Sequence, residues 1–163
     1  MKKFSLMAAL IVIGFIVQTS LLSFFNIFGV VPNLSLVLLV IFSMMSNGIT
    51  GGILGIITGA MYDAMIYDVF GVYILVYFLI GSIIGTYTGD ILKENYTAYM
   101  AVSAISTVCM HFLLYLILFF LRFRVENAIN IVKSILLEII LNTVLIIFVH
   151  KLIIIIFNKL DVK

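Results

Sequence analysis

Charged and redox-active residues are scarce in this 163-residue sequence. Only 10% of its residues are charged, whereas a soluble domain usually carries about 25%. A net charge of +2 is too small to indicate a protein that binds the phosphate backbone of nucleic acid. A single cysteine, Cys109, excludes a disulfide framework and a thiolate metal cluster within one chain.

Catalytic motifs are missing as well. The sequence contains neither the HExxH pattern of zinc proteases nor the GxSxG pattern of serine hydrolases, and it has no Walker loop for nucleotide phosphates. Its two histidines are far apart and do not make a metal site. We therefore expect a protein that is not an enzyme and that needs no cofactor.

Apolar residues are abundant, at 65% of the chain, and the mean hydropathy is +1.37. A soluble fold this small keeps much of its chain at the surface and could not hide so much apolar area. A lipid bilayer removes that difficulty by serving as the solvent. The composition therefore predicts one integral membrane domain over residues 1–163.

The apolar residues fall into six segments separated by polar or glycine-rich breaks. They span residues 4–25, 34–45, 49–66, 69–88, 96–121 and 131–157. Within lipid a lone segment satisfies its own backbone hydrogen bonds only as a helix, and these segments lack the alternation of barrel strands. The predicted fold is an all-α, polytopic membrane bundle of about six transmembrane helices. The second segment is short for a full crossing, so it either spans or is re-entrant.

The basic residues indicate an orientation. The first segment lacks a clear cleavage site and is expected to stay as a span. Six crossings place both termini on one side, whereas a re-entrant second segment would leave five crossings and place the termini on opposite sides. With six crossings, the side of the termini carries Lys2, Lys3, Lys93, Lys159 and Lys163, and the other side carries Arg122, Arg124 and Lys133. Since basic residues favour the cytoplasmic side, both termini are predicted to be cytoplasmic.

Glycines recur every four residues in the third and fourth segments. The rows are Gly51, Gly55 and Gly59, followed by Asp63 at the next step, and Gly81, Gly85 and Gly89. Residues four apart share one helix face, so each helix presents a groove where another backbone can approach closely. Either the two helices pack on each other, or one row serves a second subunit such as another copy of the chain.

Several polar residues are expected at membrane depth. Asp63, near the end of the third helix, is either a functional carboxylate or a cap for the neighbouring turn. His111 lies in the middle of the fifth helix, and Glu138 and Asn142 lie one turn apart in the sixth. His111 and Glu138 either form a buried pair or are satisfied separately by hydrogen bonds between helices.

The centre of the chain carries a distinctive order of residues. Pro32, Asn33 and Leu34 open the second segment, and Gly55, Gly59, Asp63, Gly71 and Tyr73 follow within the run GILGIITGAMYDAMIYDVFGVY. Asn142 in the last segment is a further match. On these residues, and on its length, segment count and basic ends, the chain resembles the rod shape-determining protein MreD family over nearly its whole length.

The resemblance implies a non-enzymatic component of the cell-elongation machinery in a bacterial plasma membrane. Such proteins accompany the membrane-anchored MreC and the actin-like MreB, and they help to direct lateral peptidoglycan synthesis. We therefore expect an MreC-like membrane protein as the partner. The motif residues and the glycine rows are expected to act in helix packing or partner binding.

A second interpretation follows from the likeness of that family to the substrate-binding S components of energy-coupling-factor vitamin transporters. Such a subunit needs a pocket with convergent polar groups, often lined by aromatic rings. The candidate aromatic residues are Tyr62, Tyr67, Tyr73, Tyr77 and Tyr87. Against this interpretation, the sequence has no tryptophan and few polar side chains that could orient a ligand.

Overall fold

A computed structural model describes residues 2–20, 29–65, 69–88, 95–122 and 128–160. These residues form six α-helices, which confirms the predicted all-α bundle. The helices are α1 (Lys2–Ser20), α2 (Leu34–Met44), α3 (Gly48–Met65), α4 (Val72–Tyr87), α5 (Tyr96–Phe120) and α6 (Ala128–Lys159). The predicted end of the first segment, residues 21–25, lies outside the described residues.

The helices differ widely in length. By length and apolar composition, α1, α5 and α6 can each cross a membrane. The 11 residues of α2 extend only about 16 Å, about half the ~30 Å thickness of the hydrocarbon core. The 32 residues of α6 extend about 48 Å, so this helix must tilt or project beyond the hydrocarbon core. The second helix is therefore short, as predicted.

The short helix α2 lies at the centre of the bundle. It contacts each of the other five helices, and every residue from Ser35 to Met44 is buried. A helix that is apolar on all sides is typical of such a central position. The surrounding helices direct large apolar side chains outward, including Ile105 and Phe112 on α5 and Phe148 on α6. These outward faces are the ones that lipid or a partner can reach.

The two glycine rows pack against each other. A Cβ atom added at Gly51 would collide with the backbone carbonyl of Gly81, and one added at Gly81 would collide with that of Gly51. Gly55 lies equally close to the carbonyl of Tyr77. Because the obstacle in each case is backbone, the α3–α4 hairpin depends on the missing side chains. The structure therefore places these rows inside the chain rather than on a face open to a second subunit.

The other glycines of these rows follow the same pattern where they are described. A Cβ atom at Gly59 would meet the backbone of Tyr73 and Ile74, and one at Gly85 would meet the backbone of Asn47. Gly89 lies outside the described residues. The close contact thus extends along the full length of the hairpin.

Candidate functional site

Asn33 is the centre of a buried group of hydrogen bonds. It is the N-cap of α2 and is 7% exposed. Its Oδ1 accepts hydrogen bonds from the backbone N–H of Leu36 at 3.0 Å and from the Tyr62 hydroxyl at 3.1 Å. Its Nδ2 donates to the Tyr77 hydroxyl at 3.1 Å, and its backbone N–H donates to Oδ1 of Asn142 at 2.7 Å. One residue thereby joins α2 to α3, α4 and α6.

The chemistry of this position requires a carboxamide. A primary amide offers donors and an acceptor on one short side chain, whereas a carboxylate offers acceptors alone and an aliphatic chain offers neither. Asn33 uses its amide oxygen twice, and its amide nitrogen donates to the Tyr77 hydroxyl and, at 3.5 Å, to Sδ of Met110 on α5. Pro32, directly before it, is also buried. The first two residues of the sequence motif therefore lie at the buried start of α2.

Gln18 connects α1 to the same group. Its Nε2 donates to the Tyr62 hydroxyl at 2.5 Å, and its Oε1 accepts from the backbone N–H of Ser35 at 2.9 Å. The first N–H groups of a helix have no partner within the helix, and lipid supplies none. Gln18 and Asn33 together satisfy two of these groups, which allows α2 to begin inside the bundle.

Asn142 extends the hydrogen bonds toward α5 and along α6. Its Nδ2 donates to Oγ1 of Thr107 at 3.0 Å and, more weakly, to Oε1 of Glu138 at 3.5 Å. The other carboxyl oxygen of Glu138 lies 2.6 Å from Nε2 of His111. Of the two interpretations of His111 and Glu138, the structure shows the pair. Asn142 and Thr107 are fully buried, Glu138 is buried at 8% exposure, and the His111 side chain is 25% exposed.

We call this set of side chains the central polar network. It consists of Gln18, Asn33, Tyr62, Tyr77, Thr107, His111, Glu138 and Asn142. Five of the helices each contribute at least one of them, and Asn33 is the N-cap of the sixth, α2. Because each side chain reaches a neighbouring helix, the network fixes how the helices are rotated around α2.

Aromatic rings close one side of the network. Tyr62 stacks on Tyr73 and on Tyr77, with centroid distances of 5.4 and 5.3 Å, and Phe15 of α1 meets Tyr62 edge-on at 5.1 Å. Three of the five tyrosines considered as pocket aromatics are thus brought together. Tyr87 is 79% exposed, and Tyr67 lies outside the described residues.

Asp63 caps the helix that follows it. The carboxylate is 3% exposed, and its Oδ2 accepts from the backbone N–H groups of Gly71 and Ile74, both at 3.0 Å. Its Oδ1 accepts from the N–H of Tyr73 at 3.1 Å. A negative charge at the N-terminus of α4 is also favoured by the helix dipole. This geometry agrees with the capping interpretation, since three backbone N–H groups donate hydrogen bonds to the Asp63 carboxylate.

Gly71 is needed at that cap for its backbone. Its φ of 105° lies in the left-handed region that other residues adopt only with strain. This conformation turns the chain so that the N–H groups of α4 point at Asp63. Gly71 and Asp63 therefore act together, although eight positions separate them.

Thr107 was not singled out from the sequence, and Tyr62 and Tyr77 were considered only as aromatic residues of a pocket. Thr107 lies four residues before His111 on α5, as Glu138 lies four residues before Asn142 on α6. Two polar pairs at the same spacing on consecutive helices are a signal for hydrogen bonds between those helices. Tyr77 offers no comparable signal, because its partner Asn33 lies on a helix 44 positions away.

The polar side chains of this region are joined to one another by hydrogen bonds. Among the described residues, no group of three or more histidine, cysteine, aspartate or glutamate side chains could hold a metal ion. The amide, hydroxyl and carboxyl groups of the network are bonded to one another. Together with the helices, they define a polytopic α-helical membrane protein whose interior polar residues join its helices.

Within that class the chain has a specific place. The family model for the rod shape-determining protein MreD matches residues 1–156, so the chain belongs to the MreD family and is a bacterial membrane protein. This match confirms the resemblance found in the sequence. No curated protein and no solved structure matches the chain significantly.

Proposed function

We propose that this protein is a non-enzymatic scaffold of the cell-elongation machinery, which binds an MreC-like membrane protein and supports lateral peptidoglycan synthesis. The family match over residues 1–156 is the observation that carries the proposal. The central polar network adds physical support, because a bundle tied together through all six helices offers a rigid surface to a partner.

We also propose that residues 1–163 form one membrane domain with both ends at the cytoplasmic face. Met45, at the end of α2, shares a pocket with Lys3 and Met7 of the first turns of α1. Phe42, also near that end of α2, stacks on Phe157 near the end of α6 at 6.2 Å. These contacts support a common side for the start of α1 and the end of α6. The basic residues there favour the cytoplasm.

The partner must use an outward face of the bundle. The glycine faces of α3 and α4 are occupied by each other, so a partner helix or a second copy cannot dock there without opening the hairpin. Outward side chains such as Ile105 and Phe112 on α5, or Ile140 and Phe148 on α6, are accessible. These two faces give the binding proposal distinct sites to test.

Co-purification with MreC from the same organism in mild detergent tests the binding proposal. We expect the two proteins to elute together, and a photo-crosslinking residue placed at Phe112 or Phe148 to report which face lies against MreC. A crosslink from one face and none from the other would identify the contact. If both proteins are folded and neither co-elution nor any crosslink is seen, the binding proposal is wrong.

The vitamin-transporter interpretation has no specific observation in its favour. A ligand pocket needs polar groups that converge on open space. Gln18, Asn33, Tyr62 and Tyr77 instead donate to or accept from one another or the backbone of α2. If a vitamin raised the unfolding temperature of the purified protein, that result would be evidence for a ligand-binding subunit.

A further inference from the structure

A pocket of about 430 Å³ opens between the start of α1 and the turn that joins α2 to α3. Its apolar lining comes from Phe4, Met7 and Met45, and its polar lining includes Lys3 and Thr50. The volume falls within the range of about 300–1,000 Å³ that is usual for small-molecule sites. None of the lining residues belongs to the central polar network.

The polar side of the pocket has hydrogen-bond donors to offer. Lys3 contributes an ammonium group with three N–H donors. Asn47 uses its Oδ1 to accept from the backbone N–H of Thr50 at 2.9 Å, which leaves its NH₂ group to donate. Ser46 is already engaged, because its hydroxyl donates to the carbonyl of Phe42 at 2.6 Å. The cationic and neutral donors present suit an anion.

The apolar side of the pocket continues into the core of the bundle. Met7 is 1% exposed, whereas Phe4 is 36% exposed. Apolar surface therefore runs from the buried interior out to the edge where Lys3 lies. A ligand that fits both sides has a negatively charged group joined to a hydrocarbon chain.

We propose that this pocket binds an anionic phospholipid of the leaflet that meets the start of α1. The headgroup phosphate contacts Lys3, with Asn47 and Thr50 as neutral hydrogen-bond partners. One acyl chain lies against Phe4, Met7 and Met45. None of the lining residues lies on α5 or α6, whose outward faces are the ones tested for MreC binding. The site places a lipid between α1 and the α2–α3 turn, where it would hold the two together.

Lipid-dependent thermal stability of the purified full chain tests this assignment. The probes are detergent micelles containing phosphatidylglycerol, micelles with the same fraction of phosphatidylcholine, and micelles with inorganic phosphate alone. We expect phosphatidylglycerol to raise the unfolding temperature most, because a ligand that binds the folded state stabilises it. Inorganic phosphate, which lacks the acyl chain, should have little effect.

Variants of Lys3 test whether stabilisation by phosphatidylglycerol arises at this pocket. A surface lysine contributes about 1 kcal/mol of attraction to anionic lipid, so Lys3→Gln should weaken the apparent affinity for phosphatidylglycerol about fivefold. Lys3→Arg should retain most of the affinity. Lys151→Gln is the matched control, since this exposed lysine of α6 lies outside the pocket and its loss makes the same change in net charge.

Three outcomes would overturn the proposal. Equal stabilisation by phosphatidylglycerol and phosphatidylcholine would mean that the pocket does not select an anion. Equal stabilisation by inorganic phosphate would assign a free phosphate site instead of a lipid site. Equal losses for Lys3→Gln and Lys151→Gln would show that the lipid responds to overall charge and not to this pocket.

Discussion

Replacing Asn33 by leucine is the sharpest test of the central polar network. The change removes the side-chain bonds to the Leu36 N–H, the Tyr62 hydroxyl and the Tyr77 hydroxyl. The bond from the backbone N–H of residue 33 to Asn142 does not involve the side chain and should remain. Leucine keeps the number of side-chain heavy atoms and the branch at Cγ, so the main loss is that of hydrogen bonding, and its larger methyl groups add a packing cost at this buried position.

The expected cost follows from the groups left without partners. Hydrogen bonds between membrane helices average about 0.6 kcal/mol each, which for three bonds sets a lower value of about 2 kcal/mol. Loss of a helix N-cap costs about 1 kcal/mol, and the buried Tyr77 hydroxyl left unpaired adds about 1–3 kcal/mol, whereas the Tyr62 hydroxyl keeps its bond from Gln18, so the upper value is about 4 kcal/mol. We expect the free energy of unfolding to fall within this range.

Asn47 supplies a matched control. It caps α3 as Asn33 caps α2, with its Oδ1 accepting from the N–H of Thr50 at 2.9 Å, but it is exposed. Water or headgroups can replace its bond, so Asn47→Leu should cost about 1 kcal/mol or less. Reversible unfolding in detergent micelles without anionic lipid measures both variants, so that the proposed lipid contact of Asn47 does not contribute. Equal costs at the two positions, or a cost below about 0.5 kcal/mol for Asn33→Leu, would refute the reasoning.

Three further tests examine other parts of the fold in the same unfolding assay. Gly55→Ala should lower the free energy of unfolding by about 1–3 kcal/mol, because the added methyl group meets the backbone of α4. The control Gly14→Ala should be nearly neutral, because its methyl group meets only the end of the Leu38 side chain. Equal costs would contradict the close contact between α3 and α4. Asp63→Ala should cost about 2–4 kcal/mol through three lost bonds to α4, and a neutral result would rule out the cap. A double-mutant cycle with His111→Phe and Glu138→Leu should give a coupling energy of about 1–3 kcal/mol. If the two changes in the free energy of unfolding simply add, His111 and Glu138 do not interact.

Hydropathy predicted the helices well because it depends only on local composition. The boundaries moved where specific groups act: α4 begins at Val72 rather than at residue 69, since Gly71 turns the chain and Asp63 caps the new helix. The glycine spacing predicted that another backbone lies close to each row, but it did not show whether that backbone belongs to the same chain or to a second subunit. A row of glycines looks the same whether it faces a second helix of the chain or another subunit.

The central position of α2 and the role of Asn33 were harder to predict. A helix surrounded by protein and a helix surrounded by lipid have similar compositions in a membrane, so the apolar residues of α2 do not reveal its place. Asn33 was singled out only through the resemblance. Its partners Tyr77 and Asn142 depend on how α4 and α6 are rotated, and no local pattern sets that rotation.

The start of α2 has a consequence for how the protein is made. Asn33 is synthesised 109 residues before Asn142, which accepts its backbone N–H. The 11 residues of α2 are too few to span the bilayer alone. Without its partners, this helix would be unstable in lipid, because the N–H groups of its first turn would lack hydrogen bonds. We therefore expect this segment to take its buried position only after α6 has been inserted. The order of assembly would then differ from the order of synthesis, with the innermost helix placed among the last.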